Sequence, residues 1–137
     1  MLVLTSDVLY ELFTEDPASG QVREKVRERF KVADGRFCAP PQMEWEVFSA
    51  LRGRYKTDRL SAEQLADRME ALGKIPYKIV QVSLLFDYVL GFDRYVLSLS
   101  DGLYIATALR MQAPLLTVRP DLAAQAQRCR AEASLIS

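Results

Sequence analysis

The stretch of the chain that decides its fold is Leu2-Val3-Leu4-Thr5-Ser6-Asp7-Val8-Leu9. Its three consecutive apolar residues are typical of a short parallel strand that is covered on both faces of a sheet. From Asp7 onward the apolar residues follow helical spacing instead, and the apolar side of this helix comprises Val8, Leu9, Leu12 and Phe13. A buried strand that leads directly into an amphipathic helix predicts an α/β fold.

The same alternation of strand and helix continues along the chain. Short apolar runs at 35–39, 115–118 and 133–136 predict further strands. Helices are predicted from Asp7 to about Pro17, at 19–31, after Pro40-Pro41, at 61–73, 80–90 and 98–111, and from near Asp121. We therefore expect one domain over residues 1–137, a three-layer α/β/α sandwich whose short, mostly parallel sheet has four or five strands.

The composition excludes several kinds of chemistry. The chain has 137 residues with 18 basic and 18 acidic side chains and no histidine, so Ser-His and Cys-His dyads and histidine metal ligands are ruled out. A net charge of zero argues against binding nucleic acid by bulk electrostatics alone. The two cysteines, Cys38 and Cys129, are too few for a disulfide framework or a four-cysteine metal site.

No part of the sequence predicts a membrane segment or a signal peptide. The beginning of the chain has no basic residues, and Asp7 interrupts its apolar run. The longest apolar stretch, at 79–90, contains Gln81 and Asp87 and is too short to span a bilayer. We expect a cytoplasmic protein with no membrane partner.

Carboxylates stand where the predicted strands end. In parallel sheets, ligands bind beyond the carboxyl ends of the strands. The acidic residues placed there by the predicted elements are Asp7, Glu46, Asp101 and Asp121. Asp101 also stands where it can partner Ser98 in a helix capping box, and Asp121 is better explained as a helix cap.

Four blocks of the sequence resemble the PIN domain, in particular the short ribonuclease toxins of VapBC toxin–antitoxin pairs. The first block is the opening stretch quoted above, and the second is Ala39-Pro40 followed by Glu46-Val47-Phe48-Ser49-Ala50-Leu51. The third runs from Leu97 to Ala106 and has the pattern Ser-x-x-Asp, and the fourth is Ala113-Pro114-Leu115-Leu116-Thr117-Val118. The resemblance covers nearly the whole chain, and the four blocks occur in the family's order and spacing.

This resemblance implies a metal-dependent nuclease. In the family, acidic residues bind one or two Mg²⁺ or Mn²⁺ ions, and a metal-bound water attacks an RNA phosphodiester. Mg²⁺ prefers oxygen ligands, and the ion lowers the pKa of its bound water, so such a site needs no histidine. Carried over by position, Glu46 and Asp101 are the catalytic and metal-binding acids, and Asp7 is close enough to contribute a third carboxylate.

Two of the family's acid positions are substituted in this chain. Thr5 stands in place of the first aspartate, because placing Asp7 there would put Tyr10 and Glu11 where the family is apolar. Arg119 replaces the last acid, and Asp121 follows two residues too late. We expect Arg119 to pair with Glu46 or Asp101 and so to weaken or abolish metal binding.

The leading interpretation is therefore a VapC-like PIN protein with weak or lost nuclease activity, and with no metal if the site is fully degenerate. The first alternative is an active Mg²⁺- or Mn²⁺-dependent endoribonuclease toxin that uses Asp7, Glu46 and Asp101. The second is a non-catalytic protein-binding scaffold. The partners implied are RNA, an antitoxin-like small protein and a second copy of the chain, and the RNA-binding candidates are Arg52, Arg54 and Lys56.

Overall fold

The computed structural model describes residues 1–14, 16–92, 94, 96 and 98–137. Within these residues the chain forms five strands in one sheet: β1 (Leu2–Leu4), β2 (Phe37–Ala39), β3 (Tyr77–Ile79), β4 (Leu115–Thr117) and β5 (Ala133–Leu135). The strand order is β3-β2-β1-β4-β5, and every neighbouring pair is parallel. The predicted α/β class with a short parallel sheet is confirmed.

Seven helices surround this sheet in the described part of the chain: α1 (Ser6–Phe13), α2 (Gly20–Ala33), α3 (Gln42–Lys56), α4 (Ala62–Gly73), α5 (Phe86–Phe92), α6 (Leu99–Met111) and α7 (Pro120–Arg128). Right-handed crossovers put α1–α4 on one face of the sheet and α5–α7 on the other. The contacts agree, since α1 packs on α2 and α3, α3 on α4, and α5 on α6.

The centre of the sheet is the centre of the core. Val3, Leu4, Leu115 and Leu116 are completely buried, because β1 and β4 carry helices on both faces. This double coverage explains why these strands are continuous apolar runs. Helix α6 is buried along most of its length, consistent with its being the most apolar helix of the sequence.

The register of the strands brings their carboxyl ends to one edge of the sheet. Val3 pairs with Cys38 in β2, and Leu4 pairs with Leu116 in β4. The chain therefore leaves β1, β2 and β4 at one edge, where polar residues replace apolar ones. Helices α1, α3 and α7 start at this edge, and α6, which runs back toward β4, also has its N-terminus there.

The prediction of a helix over residues 80–90 is wrong for the first half of that range. A strand, β3, precedes it, a 3-10 helix follows at Val82–Leu84, and α5 starts at Phe86. The strand was missed because β3 lies at the edge of the sheet, where Lys78 is exposed and Tyr77 and Ile79 are only half buried. Such a strand lacks the wholly apolar run that identifies a central one.

Other element boundaries differ from the prediction by a few residues. Helix α1 ends at Phe13, and Pro17 opens a 3-10 helix instead of terminating α1. Helix α7 starts at Pro120, in agreement with the predicted start near Asp121. Helix α4 begins with a capping box, in which Ser61 and Gln64 exchange both hydrogen bonds. Leu97, the first residue of the third sequence block, lies outside the described residues.

No helix in the described ranges is both long and apolar enough to cross a bilayer.

Candidate functional site

The turn between β1 and α1 is joined to the end of β4. The Thr5 hydroxyl, which is completely buried, donates a hydrogen bond to the Leu116 carbonyl at 2.9 Å. Two residues further on, Oδ2 of Asp7 accepts from the Thr117 hydroxyl at 2.6 Å and from the Val118 N–H at 2.8 Å. The side chains of Thr5 and Asp7 therefore join the start of α1 to the end of β4. Oδ2 of Asp7 is engaged by the two hydrogen bonds that it accepts there.

Glu46, on the second turn of α3, accepts hydrogen bonds from three hydroxyl groups. Its Oε1 accepts from Tyr104 at 2.7 Å and from Ser6 at 3.2 Å, and its Oε2 accepts from Ser100 at 2.6 Å. Gln42, one turn earlier on α3, donates to the Ser100 carbonyl at 3.1 Å. These contacts join α3, the start of α1 and the start of α6 around one carboxylate, and they satisfy both of its oxygens without a cation.

Tyr104 is the most buried of the three donors, with only 2% of its surface exposed. Its hydroxyl also accepts the backbone N–H of Ser6 at 3.1 Å. Burial is the main reason that the pKa of Tyr104 lies well above its ordinary value. The negative charge of Glu46 raises it further, against an opposing contribution from Ser6. The phenol therefore stays protonated and donates to Glu46.

Asp101, on the first turn of α6, forms a bidentate ion pair with Arg119. The guanidinium Nη1 and Nη2 lie 2.8 Å and 2.9 Å from Oδ1 and Oδ2 of Asp101. Nη2 is also 2.7 Å from Oδ2 of Asp121, and Nε is 3.3 Å from its Oδ1. Arg119 thus bridges two carboxylates, one of them almost buried and the other exposed.

The ion pairs of Arg119 with Asp101 and Asp121 shift pKa values at the carboxyl edge of the sheet. Hydrogen bonds from Arg119 hold the pKa of Asp121 below its ordinary value, and those to Asp101 and then Asp121 raise the pKa of Arg119. Arg119 therefore stays charged throughout the accessible pH range. Asp121 adds a negative charge to this edge, so Glu46, Asp101, Asp121 and Arg119 together carry −2.

The carboxylates do not form a metal site in this arrangement. Within the described residues, no group of three or more His, Cys, Asp or Glu side chains is placed to hold a metal ion. Both oxygens of Glu46 accept hydroxyl protons, and both oxygens of Asp101 accept guanidinium protons. A Mg²⁺ or Mn²⁺ ion would have to displace these donors, so the residues present do not fit the ion that the resemblance implies.

The sequence prediction located Glu46, Asp101, Thr5 and Arg119 at one edge, and the structure brings them together there. Arg119 pairs with Asp101, which was one of the two expected partners. Asp121 stands in the first turn of α7, whose N-cap is Arg119, so its interpretation as a helix cap is wrong. Ser98 caps α6 by accepting the Asp101 N–H at 3.0 Å, while the Asp101 carboxylate goes to Arg119.

The three basic residues proposed for RNA binding do not share one surface. Each residue of a helix is rotated by about 100° from the one before it, so two residues bring a rotation of about 200° around the axis. Arg54 therefore lies on nearly the opposite side of α3 from Arg52 and Lys56. The guanidinium of Arg54 is half buried and donates to the Tyr10 hydroxyl at 3.3 Å. Arg52 and Lys56 are exposed and lie one turn apart.

Sequence reasoning missed the hydroxyl groups that hold Glu46. Ser6, Ser100 and Tyr104 carry no motif that marks them as partners of a residue on α3. Tyr104 offered a usable signal, because a tyrosine inside an otherwise apolar helix needs a hydrogen-bond partner for its hydroxyl. Ser6 and Ser100 offered none, since serines at helix starts are common.

An all-parallel sheet with helices on both faces and acidic residues at its carboxyl edge defines a class of α/β domains that includes nucleases. The sequence model of the PIN domain family matches residues 2–127, and the chain belongs to this nuclease-related family. Members of the family typically use divalent metal ions.

A solved structure supports the fold. The crystal structure of PAE2754 from Pyrobaculum aerophilum superposes with a TM-score of 0.60 at 12% sequence identity, covering 90% of this chain and 78% of that one. A sequence search of curated proteins finds no match.

Proposed function

We propose that this chain is a VapC-like PIN-domain protein whose metal-dependent ribonuclease activity is weak or lost. The observation that carries the proposal is the guanidinium of Arg119, which binds both oxygens of Asp101 and also Asp121. A fixed cation thus stands among the acids where the family implies a divalent ion. Thr5, at the other substituted position, supplies a hydroxyl in place of a carboxylate.

The charge of Arg119 opposes metal binding directly. A guanidinium about 5 Å from a divalent ion repels it by on the order of 6 kcal/mol at an effective dielectric constant near 20, before solvent screening. Moving Arg119 aside would also break its charge-assisted hydrogen bonds to Asp101 and Asp121. Either route disfavours an ion at this edge.

The proposal includes the partners that the resemblance implies. The protein acts in the cytoplasm as a homodimer and binds an antitoxin-like small protein. It retains weak contacts to an RNA backbone, for which exposed Arg52 and Lys56 on α3 are the candidates.

Calorimetric titration with Mn²⁺, combined with cleavage of a labelled RNA, tests the loss of activity. The proteins compared are the wild type and the double variant Thr5→Asp/Arg119→Asp, which makes the edge three charge units more negative. The wild type should bind Mn²⁺ poorly and leave the RNA intact. The double variant should bind Mn²⁺ more tightly by several kcal/mol after screening.

Arg119→Gln is the matched control, because it removes the positive charge without adding an acid. We expect its Mn²⁺ affinity to lie between those of the wild type and the double variant. Tight Mn²⁺ binding and divalent-dependent cleavage by the wild type would overturn the proposal in favour of an active ribonuclease that uses Asp7, Glu46 and Asp101. Equal, weak binding by all three proteins would show that these positions do not form the family's metal site.

A second candidate function, a protein-binding scaffold, is favoured by two exposed aromatic residues. Trp45 is 70% exposed and Phe48 is 41% exposed, and they lie three residues apart on α3 and so share one face. Aromatic residues are enriched in protein interfaces. Sedimentation equilibrium of the wild type and Trp45→Glu tests this role, and the variant should shift the dimer toward monomer. Identical behaviour would remove the argument from this face.

A further inference from the structure

Strand β3 forms one edge of the sheet, and in the described part of the chain its outer side has no partner strand. The Val80 N–H, just after β3, donates to the Ala39 carbonyl of β2 at 2.9 Å. Because the backbone groups of successive residues point alternately to the two sides of a strand, those of Lys78 also face β2 and those of Ile79 face away from it. The N–H and C=O of Ile79 are therefore available to a further strand.

A pocket of about 320 Å³ adjoins this edge, and we call it the β3 pocket. Its lining comes from β3, from the segment that follows it and from the last turn of α6, and it includes Lys78, Ile79, Val80, Leu84, Arg110 and Met111. Val80 is buried, whereas Leu84 is 47% exposed. An accessible apolar surface therefore lies directly beside the unpaired backbone of β3.

The charge of the β3 pocket is positive. Lys78 and Arg110 are both exposed, and the described lining contains no acidic side chain, so the pocket carries +2. Neither residue forms an ion pair with a carboxylate among the described residues. Both cations are thus available to a carboxylate of another molecule, which would accept charge-assisted hydrogen bonds from them.

The same charge argues against a second copy of the chain as the occupant. Two copies that paired through β3 would bring Lys78 of each chain against the same strand of the other. Like charges across a strand pair are destabilising, and lysine on an edge strand is one of the ways in which proteins prevent such self-pairing. The charge therefore favours a partner that is acidic where this chain is basic.

We propose that β3 binds an extended, acidic segment of a partner protein, which adds a sixth strand to the sheet. The backbone of the segment hydrogen-bonds to Ile79, an acidic side chain pairs with Lys78 or Arg110, and an apolar side chain on the same face enters the pocket beside Leu84. In such strand addition, backbone hydrogen bonds supply affinity and side chains at alternate positions supply specificity. The site uses none of the acids at the carboxyl edge, so it does not depend on the loss of nuclease activity.

Fluorescence anisotropy of a labelled peptide, Thr-Glu-Thr-Val-Thr-Glu-Thr-amide, with the full chain tests the proposal. As a strand, this peptide presents both glutamates and the valine on one face. The wild type should bind it on the order of tenfold more tightly than the same peptide with lysine in place of both glutamates. Failure to bind the acidic peptide at millimolar concentration, or equal binding of the two peptides, would overturn the proposal.

The double variant Lys78→Gln/Arg110→Gln tests the two cations. It should weaken binding of the acidic peptide by about fivefold or more, because each exposed ion pair contributes modestly. The matched control is Arg27→Gln/Lys31→Gln, which removes two exposed positive charges from α2, on the other face of the sheet from α6. Equal losses in the two double variants would show a diffuse charge effect and would contradict a site at β3.

Peptide N-methylation tests the backbone contact and leaves the protein unchanged. One peptide is methylated on the backbone nitrogens of its glutamates and valine, and the other on those of its internal threonines. Alternate N–H groups of a strand face its neighbour, so only one of the two peptides should lose binding. Equal effects in both would indicate contacts through side chains alone and would refute strand addition.

Ile79→Pro tests whether a second copy uses this edge. Proline at this position removes an N–H that points away from β2, and edge strands accept proline on that side. Sedimentation equilibrium should show the same self-association as in the wild type, while binding of the acidic peptide falls. Weaker self-association in Ile79→Pro would assign the edge to a second copy and overturn the proposed acidic partner.

Discussion

At the residue scale, the hydroxyl of Tyr104 is the most buried of the three hydroxyl donors that hold Glu46. Tyr104 donates to Oε1 of Glu46 from a position that is almost completely buried, and its raised pKa keeps it protonated. Ser6 and Ser100 add donors that are more accessible. The free energy of this cluster therefore depends most on Tyr104, because water cannot take the place of its hydroxyl there.

Tyr104→Phe should lower the free energy of unfolding by about 1.5–3 kcal/mol near pH 7, because the variant lacks a hydrogen bond to a charged group. The raised pKa of Tyr104 means that its contribution is present below the unfolded-state pKa, about 10, and is lost as the pH rises above it. The difference between wild type and variant should therefore shrink above about pH 10.

Urea denaturation of both proteins at neutral and alkaline pH measures this effect. Tyr55→Phe is the control, because Tyr55 is 43% exposed, and it should behave like the wild type at both pH values. If the difference in the free energy of unfolding between the wild type and Tyr104→Phe grew with pH, it would contradict the buried, protonated state of Tyr104.

The pair between Arg119 and Asp121 should contribute only modestly to stability. Asp121→Asn should lower the free energy of unfolding by less than about 1 kcal/mol at neutral pH, because Asp121 is largely exposed and solvent screens the pair. The pKa of Asp121 is lowered in the folded state, so its contribution is present above the unfolded-state value of 3.8 and is lost as the pH falls through the folded-state pKa. Thermal unfolding between neutral and acidic pH should show the two proteins converging.

Asp67→Asn on the exposed face of α4 serves as the reference for removal of a surface carboxylate. If the difference in thermal stability between the wild type and Asp121→Asn did not change with pH, the contribution of Asp121 to stability would not be electrostatic.

At the scale of elements, α6 carries Ser100, Asp101 and Tyr104 of the site, and it has room for a residue that favours helix more than glycine does. A Cβ built on Gly102 would lie 3.5 Å from Cγ1 of Val89 and 3.8 Å from Cγ1 of Val96, which is ordinary van der Waals contact. Glycine costs a helix interior about 0.5–1 kcal/mol relative to alanine. The glycine therefore weakens α6 without relieving a steric conflict.

Gly102→Ala should raise the free energy of unfolding by about 0.5–1 kcal/mol in urea denaturation, and the hydrogen bonds of Asp101 should be unaffected. Gly35→Ala provides the opposite case, because Gly35 has φ of +74° after α2, and alanine there should be destabilising. A loss of stability in Gly102→Ala would show that α5 and α6 pack more tightly than these distances indicate.

At the scale of the whole molecule, a net charge of zero limits how RNA could bind. No bulk attraction brings a polyanion to the surface, so any contact must come from local basic groups such as Arg52 and Lys56. Contacts of this kind release counterions and weaken as the salt concentration rises.

Fluorescence anisotropy of a labelled single-stranded RNA at several salt concentrations should show steeply salt-dependent binding. In Arg52→Ala/Lys56→Ala, the affinity should fall across RNA sequences, and the slope of log K against log salt should become shallower by about 0.7 for each phosphate that the variant no longer neutralises. Arg27→Ala on α2 is the control for an exposed arginine. Binding that ignores salt would exclude a backbone contact, and an absence of RNA binding would favour the scaffold role.

Local sequence patterns predicted most of the elements because their causes are local. The apolar runs of β1 and β4 reflect burial on both faces, and the caps at Ser61 and Ser98 satisfy helix N–H groups within three residues. The edge strand β3 escaped prediction because its identity depends on pairing with β2, which lies about forty residues earlier in the chain.

The sequence by itself determined the α/β class, the edge at which the polar residues gather, and the replacement of an acid by Arg119. Those follow from periodicity, from the end points of buried strands and from residue identity. Only the tertiary structure decided which groups hold each carboxylate: Ser6, Ser100 and Tyr104 on Glu46, Arg119 on Asp101 and Asp121, and β4 on Asp7. It likewise brought Lys78 of β3 and Arg110 of α6 to one pocket. The physical reason is that these partners come from different elements, and a hydrogen bond depends on distance and direction in space, which spacing along the chain does not specify.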